Sequence, residues 1–152
     1  MIKKLILIFS ICFVSACGYT PMYSKTSNVN FNFQKIAIQG DNDLKNLIKA
    51  SLERYNNENS QNEIDLDIKI IYEKVSQTKN IAGETTDYLL IVEVEFEIEQ
   101  NGEKKTILIK EDFVMKNIER EYEEKKYERT IKQNFAYSII NKFILRIKRK
   151  KL

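Results

Sequence analysis

Histidine and tryptophan are both missing from this 152-residue chain, and cysteine occurs only twice, at Cys12 and Cys17. Without histidine there is no imidazole for a Ser-His-Asp relay or a Cys-His pair, and the usual zinc sites are excluded. Four glycines leave little scope for a phosphate-binding loop. A carboxylate-pair hydrolase or an oxygen-ligand metal site is the remaining alternative, but no spacing among the 22 acidic residues marks out a pair. We therefore expect a protein that is not an enzyme and has no cofactor or bound metal.

The charge balance is also small. Lysine and arginine number 25 against 22 acidic residues, which gives a formal net charge of +3. Nucleic-acid binding requires a clear basic excess or stripe, so we expect no nucleic-acid partner. With 43% hydrophobic and 31% charged residues, the composition is typical of a globular domain.

The N-terminus has the pattern of a secretory signal. Lys3 and Lys4 provide a positive start, and an almost wholly apolar run follows from Leu5 to Val14. This run is too short for a transmembrane helix, which needs roughly 20 residues. We predict that residues 1–16 are a signal peptide.

The end of that segment resembles the lipobox of bacterial lipoproteins, because Val14, Ser15 and Ala16 lead directly to Cys17. The resemblance implies cleavage before Cys17 and acylation of its thiol, which would anchor the protein to a membrane facing the periplasm. An ordinary signal peptide that happens to end near a cysteine is the alternative. Gly18, where an aspartate would signal inner-membrane retention in the well-studied sorting scheme, favours the outer membrane.

The rest of the chain divides into a polar tether over residues 17–30, with the only proline, and a single domain over residues 31–152. Phe31 to Ile38 alternates as a first strand, with a register slip near Gln34, and Gly40-Asp41 turns the chain. Asp43 is the expected N-cap of a helix of about a dozen residues.

Three further strands are predicted from alternating patterns. The runs begin near Ile64, Tyr88 and Lys104, and Asn101-Gly102 joins the second and third as a hairpin. Across that hairpin we expect Lys105 and Lys110 to oppose glutamates. A register irregularity near Leu108 is a further expectation.

The chain ends with a long helix from about Tyr122 to Lys150. Its apolar stripe, typical of a helix that crosses a sheet, comprises Ile131, Phe135, Ala136, Ile139, Ile140, Phe143, Ile144 and Ile147. The basic cluster at its end could meet anionic lipid, contact a partner or simply stay solvated at the helix terminus, and we favour the last. The predicted fold is α+β, order β-α-β-β-β-α, with two helices packed on one face of a mostly antiparallel four-stranded sheet.

The segment from Cys17 to Tyr23, Cys-Gly-Tyr-Thr-Pro-Met-Tyr, is similar to the opening of the LPS-assembly lipoprotein family, LptE. The element order, the length and the spacing of Tyr127, Ile131, Phe135 and Ala136 in the terminal helix also resemble that family. The resemblance implies an outer-membrane lipoprotein that plugs an LptD-like β-barrel, assists its assembly and helps lipopolysaccharide reach the outer leaflet. The acidic strand face from Glu93 to Glu99 would then be a candidate contact with the barrel lumen, although a solvated face explains it equally well.

The resemblance also implies cationic groups that bind lipopolysaccharide near loops at one end of the sheet, because its lipid A moiety is phosphorylated. The candidates are Lys74, Lys79, Lys104 and Lys105. Two alternatives remain open: an accessory outer-membrane lipoprotein of an ABC-type lipid transport system, and a structural or inhibitory lipoprotein.

Overall fold

In the computed structural model, residues 31–149 are described. Six elements follow one another: β1 (Asn32–Gln39), α1 (Asn42–Glu53), β2 (Glu63–Lys79), β3 (Thr85–Gln100), β4 (Glu103–Lys116) and α2 (Glu121–Arg149). The predicted order β-α-β-β-β-α is confirmed. The signal peptide, Cys17, the tether and the last basic residues, Lys150 and Lys151, lie outside the described residues.

The four strands form one sheet in the order β1-β2-β3-β4, with β1 parallel to β2 and the other two pairs antiparallel. The expected slip near Gln34 is a register shift between Phe33 and Lys35. Asn101 and Gly102 both have positive φ and close the β3–β4 hairpin, as predicted. The prediction of a register irregularity near Leu108 was wrong, because β3 and β4 pair without a shift along their whole length. Leu108 is simply an exposed residue on the outward-facing row.

Alternation along the strands places one set of side chains under the two helices. Ile64, Leu66, Ile68 and Ile70 of β2 are all buried, and so are their neighbours at alternate positions in β3. The predicted stripe of α2 packs onto this face, and all eight of its residues are buried. At the centre, the rings of Phe96 and Phe143 stack with their centroids 4.0 Å apart.

The helix α1 begins two residues earlier than its sequence pattern indicated. Its N-cap is Asp41, not Asp43, because the Asp41 carboxylate accepts the backbone N–H of Leu44 at 2.9 Å. Asp43 lies in the first turn instead, where its charge favours the positive end of the helix dipole.

The first strand is much shorter than its neighbour. Pairing between β1 and β2 ends at Gln39 and Lys69, while β2 continues to Lys79. The chain leaves the sheet at Gly40, whose φ is +124° and whose Cα approaches the Ile70 carbonyl so closely that a Cβ would lie 2.1 Å from its oxygen. The remaining three strands extend beyond β1.

Candidate interaction surface

The sheet has one face under the helices and one face that no described element covers, here called the open face. Over the part of the sheet that contains β1, the open face carries a group of carboxylates on adjacent strands. This acidic patch comprises Asp65, Asp67, Glu95, Glu97 and Glu99. It follows directly from alternation, since each of these residues is out of phase with the buried residues of its strand.

One lysine at the hairpin end, Lys104, neutralises part of the acidic patch. Lys104 Nζ lies 2.8 Å from Glu97 Oε1 and 3.6 Å from Glu99 Oε2, and the hydrogen bond with Glu97 raises the pKa of Lys104. Among residues 31–149, by contrast, Asp65, Asp67 and Glu95 have no ion-pair partner. Lys35 and Lys69 lie opposite Asp65 and Glu95 in the strand register, but neither forms an ion pair with a described residue, so the five carboxylates of the patch outnumber the three lysines beside them.

A shallow depression of about 320 Å³ lies over the acidic patch. It is lined by Ala37, Gln39, Asp67, Ile68, Lys69, Glu95 and Glu97. No group of three potential ligands in the described part of the chain has an arrangement that could hold a metal ion. The depression is therefore a polar surface whose lining carries three carboxylates, those of Asp67, Glu95 and Glu97, and one ammonium, that of Lys69.

Beyond β1 the open face changes character. Val75, Leu89 and Val114 face one another in a row across three strands. Ile91 lies in the next row, beside Glu73, and Ile71 lies one row further along, diagonal to Ile91. These five residues form an apolar patch, in which Ile71, Val75 and Val114 are each more than two-fifths exposed. Exposed apolar side chains that adjoin on one face are typical of a contact surface.

The opposite, helix-covered face contains a polar network that sequence reasoning missed. The Lys132 side chain is only 8% exposed, and its Nζ lies 2.9 Å from Asp41 Oδ2 and 3.5 Å from Asp43 Oδ2. The same ammonium lies 4.3 Å from the centre of the Tyr72 ring. Burial alone would raise the pKa of Asp41, but the Leu44 N–H and the Lys132 ammonium outweigh it and hold that pKa below its ordinary value.

The network continues along α2. Tyr72 Oη donates to Glu128 Oε1 at 2.7 Å, and Lys74 Nζ donates to both Glu128 and Glu124. Burial raises the pKa of the Tyr72 hydroxyl. For Glu128, burial would also raise the pKa, but the bonds from Tyr72 and Lys74 lower it overall. The sequence contains a signal for this network. Ile144, Ile140 and Ala136 are spaced by four along α2. The same spacing, continued toward the N-terminus, places Lys132, Glu128 and Glu124 on the same row of the helix.

The four lysines predicted to bind lipopolysaccharide do not converge on one site. Lys74 faces α2 and pairs with its glutamates, while Lys79 ends β2 beside the β2–β3 loop. Lys104 and Lys105 lie at the opposite end of the sheet, and Lys104 is roughly 45 Å from Lys79 when measured along β3. Lys105 faces the helix-covered side opposite Ile98, so the expectation that it opposes a glutamate was wrong, and Lys104 occupies that position instead. Lys110 does oppose Glu93, at 3.7 Å.

The basic end of α2 reaches the edge of the sheet. Arg146 donates to the Leu108 carbonyl of β4 at 2.8 Å, so this arginine fastens the helix to the sheet. Neither α1 nor α2 is long and apolar enough to cross a membrane.

The fold is shared with solved structures of bacterial lipoproteins. The crystal structure of rare lipoprotein B from Shewanella oneidensis matches with a TM-score of 0.56 at 13% identity, over 77% of this chain and 95% of that chain. A minor lipoprotein from Acinetobacter baumannii matches with a TM-score of 0.50 at 19% identity, over 75% and 94% of the two chains. Lipoprotein B from Nitrosomonas europaea gives 0.51 at 14% identity, over 78% and 84%. No family model and no curated protein matches the sequence.

Proposed function

We propose that this chain is an outer-membrane lipoprotein that plugs and helps to assemble an LptD-like β-barrel, and helps lipopolysaccharide reach the outer leaflet. It is anchored through acylated Cys17, faces the periplasm and has no catalytic role. The observation that carries the proposal is a combination. A lipobox and an LptE-like opening from Cys17 to Tyr23 precede a domain whose fold recurs in solved bacterial lipoproteins.

The acidic patch is the surface that we assign to the barrel lumen. Three of its carboxylates, those of Asp65, Asp67 and Glu95, have no ion-pair partner within residues 31–149. A partner that presents lysine or arginine side chains would pair with them without displacing an existing ion pair. No helix or strand within residues 31–149 covers the open face, so a surrounding wall could reach it.

The proposed lipopolysaccharide contacts are Lys74, Lys79, Lys104 and Lys105. Lys79 and Lys105 have no ion-pair partner in the described part of the chain, so either ammonium could bind a phosphate group without losing an existing ion pair. Lys74 and Lys104 already pair with glutamates, and a phosphate would have to compete with those carboxylates. We therefore rank Lys79 and Lys105 above the other two.

A pull-down of the tagged full chain, extracted from membranes in mild detergent and analysed by mass spectrometry, tests the proposal. Recovery of a large outer-membrane barrel at equal stoichiometry is the expected result. Recovery of ABC-transporter subunits would support the accessory role instead, and recovery of no partner would leave only an anchored domain. The Cys17→Ala variant should fail to acquire lipid and should yield much less of the complex.

Two matched charge reversals locate the contact. Asp67→Lys with Glu95→Lys reverses the centre of the acidic patch, while Glu53→Lys with Glu119→Lys changes two exposed acids away from the open face. Both doubles reverse two acidic charges and so change the net charge equally, and neither breaks an ion pair within the described residues. We expect only the first double to lower barrel recovery. Equal losses from both would contradict a specific role for the patch.

A further inference from the structure

One edge of β2 has no neighbouring strand among residues 31–149. Pairing with β1 ends at Lys69, so residues 71–79 pair with β3 on one side only. We call this segment the free edge. Register with β3 is unbroken as far as Ser76, after which shifts occur on both sides of Thr78. Backbone N–H and C=O groups along such an edge are a template for another strand, and proteins normally cover or interrupt it.

The departure of β1 keeps the free edge open. Gly40 turns the chain away beside Ile70, and the next residue, Asp41, is held on the helix-covered side by Lys132 of α2. The helix α1 therefore starts on the helix-covered side, and no strand in the described part of the chain pairs with the edge beyond Ile70. The Ser76–Thr78 irregularity limits the regular part of this edge to about six residues, which suffices for strand addition.

Side chains on the open face give the free edge a chemical pattern. Ile71, Glu73 and Val75 alternate along it, and the two apolar members are 43% and 46% exposed. Glu73 lies opposite Ile91 and has no ion-pair partner among residues 31–149. An exposed carboxylate between two exposed apolar side chains would match a strand that carries an apolar, a basic and an apolar residue at alternate positions.

We propose that the free edge accepts an extended segment of a partner protein as a fifth strand, with apolar, basic and apolar side chains beside Ile71, Glu73 and Val75. Main-chain hydrogen bonds would provide affinity, and the alternating side chains would provide specificity. A second copy of this chain fits less well, because antiparallel pairing centred on Glu73 would bring two carboxylates together. The inference concerns a surface separate from the acidic patch and does not depend on the barrel.

A pair of synthetic peptides tests the proposal with the full chain in detergent. One peptide carries valine, lysine and valine at alternate positions with threonine between them, and the other has glutamate in place of lysine. We expect the lysine peptide to slow hydrogen exchange at backbone amides in residues 72–76. It should also bind about threefold to fivefold more tightly than the glutamate peptide in fluorescence anisotropy.

Three variants make the test specific. Glu73→Lys should reverse the preference, so that the glutamate peptide becomes the tighter ligand. Val75→Lys should weaken both peptides, whereas Val114→Lys should not. Val75 and Val114 end the same cross-strand row on opposite edges of the sheet and are 46% and 49% exposed, which makes them a matched pair.

Three results would overturn the inference. Equal weakening by Val75→Lys and Val114→Lys would place the contact on the apolar patch rather than at the edge. An unchanged peptide preference in the Glu73→Lys variant would remove the role of the carboxylate. A dimer in light scattering that Val75→Lys dissociates would identify a second copy as the occupant. Thermal melts should show that all three variants fold, since each replaced side chain is exposed.

Discussion

The two faces of the sheet use the same strands for different purposes. Along β2, Ile64, Leu66 and Ile68 are buried under the helices, while Asp65 and Asp67 between them point away from the core. A one-residue slip would exchange the two sets, so burial of one face fixes the register for both. No described helix packs on the side chains of the open face, so their chemical character can change along the sheet, from the acidic patch to the apolar patch.

The helix-covered face also differs along its length. Level with β1 the contacts of α2 are mainly apolar, with Phe143 stacked on Phe96, although Arg146 also bonds the Leu108 carbonyl. Beyond β1 the same helix also contacts the sheet through Lys132 and Glu128. The three-stranded extension is thus held to α2 partly by ion pairs and hydrogen bonds. Because such contacts depend on pH, we expect the extension to loosen before the apolar part when the protein is acidified.

Removing a ring from the apolar part should have the largest effect. Phe143→Ala is expected to lower the free energy of unfolding by about 3–5 kcal/mol, because it leaves a cavity beside Phe96. Leu145→Ala, two residues along the same helix and 55% exposed, is the matched control and should change stability by less than about 0.5 kcal/mol. Urea denaturation measures both. Similar losses would mean that the outer side of α2 is packed as well.

Loss of the buried ammonium should have the next largest effect. Lys132→Ala is expected to cost about 2–3 kcal/mol, below the range for fully buried pairs, because Asp41 is partly exposed and keeps its bond from Leu44. Lys132→Met retains the length and apolar packing of the side chain and should cost less. A loss below about 0.5 kcal/mol for Lys132→Ala, in the same denaturation assay, would show that the network contributes no net stability.

The same network predicts an acid dependence. In the folded protein the pKa values of Asp41 and Glu128 lie below their ordinary values of 3.8 and 4.5. Their contribution is therefore fully present well above those values and is lost as the pH falls through the lower, folded values. Urea unfolding at pH 7 and pH 3 should show this loss, and Asp41→Asn with Glu128→Gln should reduce the difference. An unchanged difference would assign acid sensitivity to other carboxylates.

Much of the fold followed from periodicity. The stripe of α2 and the buried rows of β2 and β3 were predictable because burial of one face imposes a period of 3.6 or 2 on the apolar residues. The hairpin at Asn101 was predictable because its turn needs residues that tolerate positive φ.

The N-cap and the polar network were harder to predict, for a physical reason. Asp41 and Asp43 are both good N-caps, and both carboxylates contact Lys132, which is 91 residues from Asp41 in sequence, so local sequence does not distinguish them. Lys105 was misassigned because a one-residue error in hairpin register moves a side chain to the other face. The predicted lysines were grouped together although they lie at both ends of the sheet, because composition does not reveal which residues are close in the fold.

Gly40→Ala should have an intermediate effect on the boundary between the two halves of the sheet. Its positive φ costs a non-glycine residue about 1–3 kcal/mol, and the added Cβ would also require the Ile70 carbonyl to move. Gly83→Ala is the matched control, since its φ is +84° but nothing lies within 4 Å of the added Cβ. We expect a larger fall in melting temperature for Gly40→Ala. Equal falls would mean that the backbone conformation alone determines the cost.

The smallest effect should come from an ion pair on the open face. Lys110 and Glu93 lie 3.7 Å apart, and the lysine side chain is 60% exposed. Solvent and salt screen such a pair, so Lys110→Ala should change stability by about 0–1 kcal/mol, and less in high salt. A double-mutant cycle with Glu93→Ala isolates the pair from the other effects of each substitution. A coupling well above that range would mean that the pair is shielded from water, and the open face would then not be the uncovered surface that the proposed barrel contact requires.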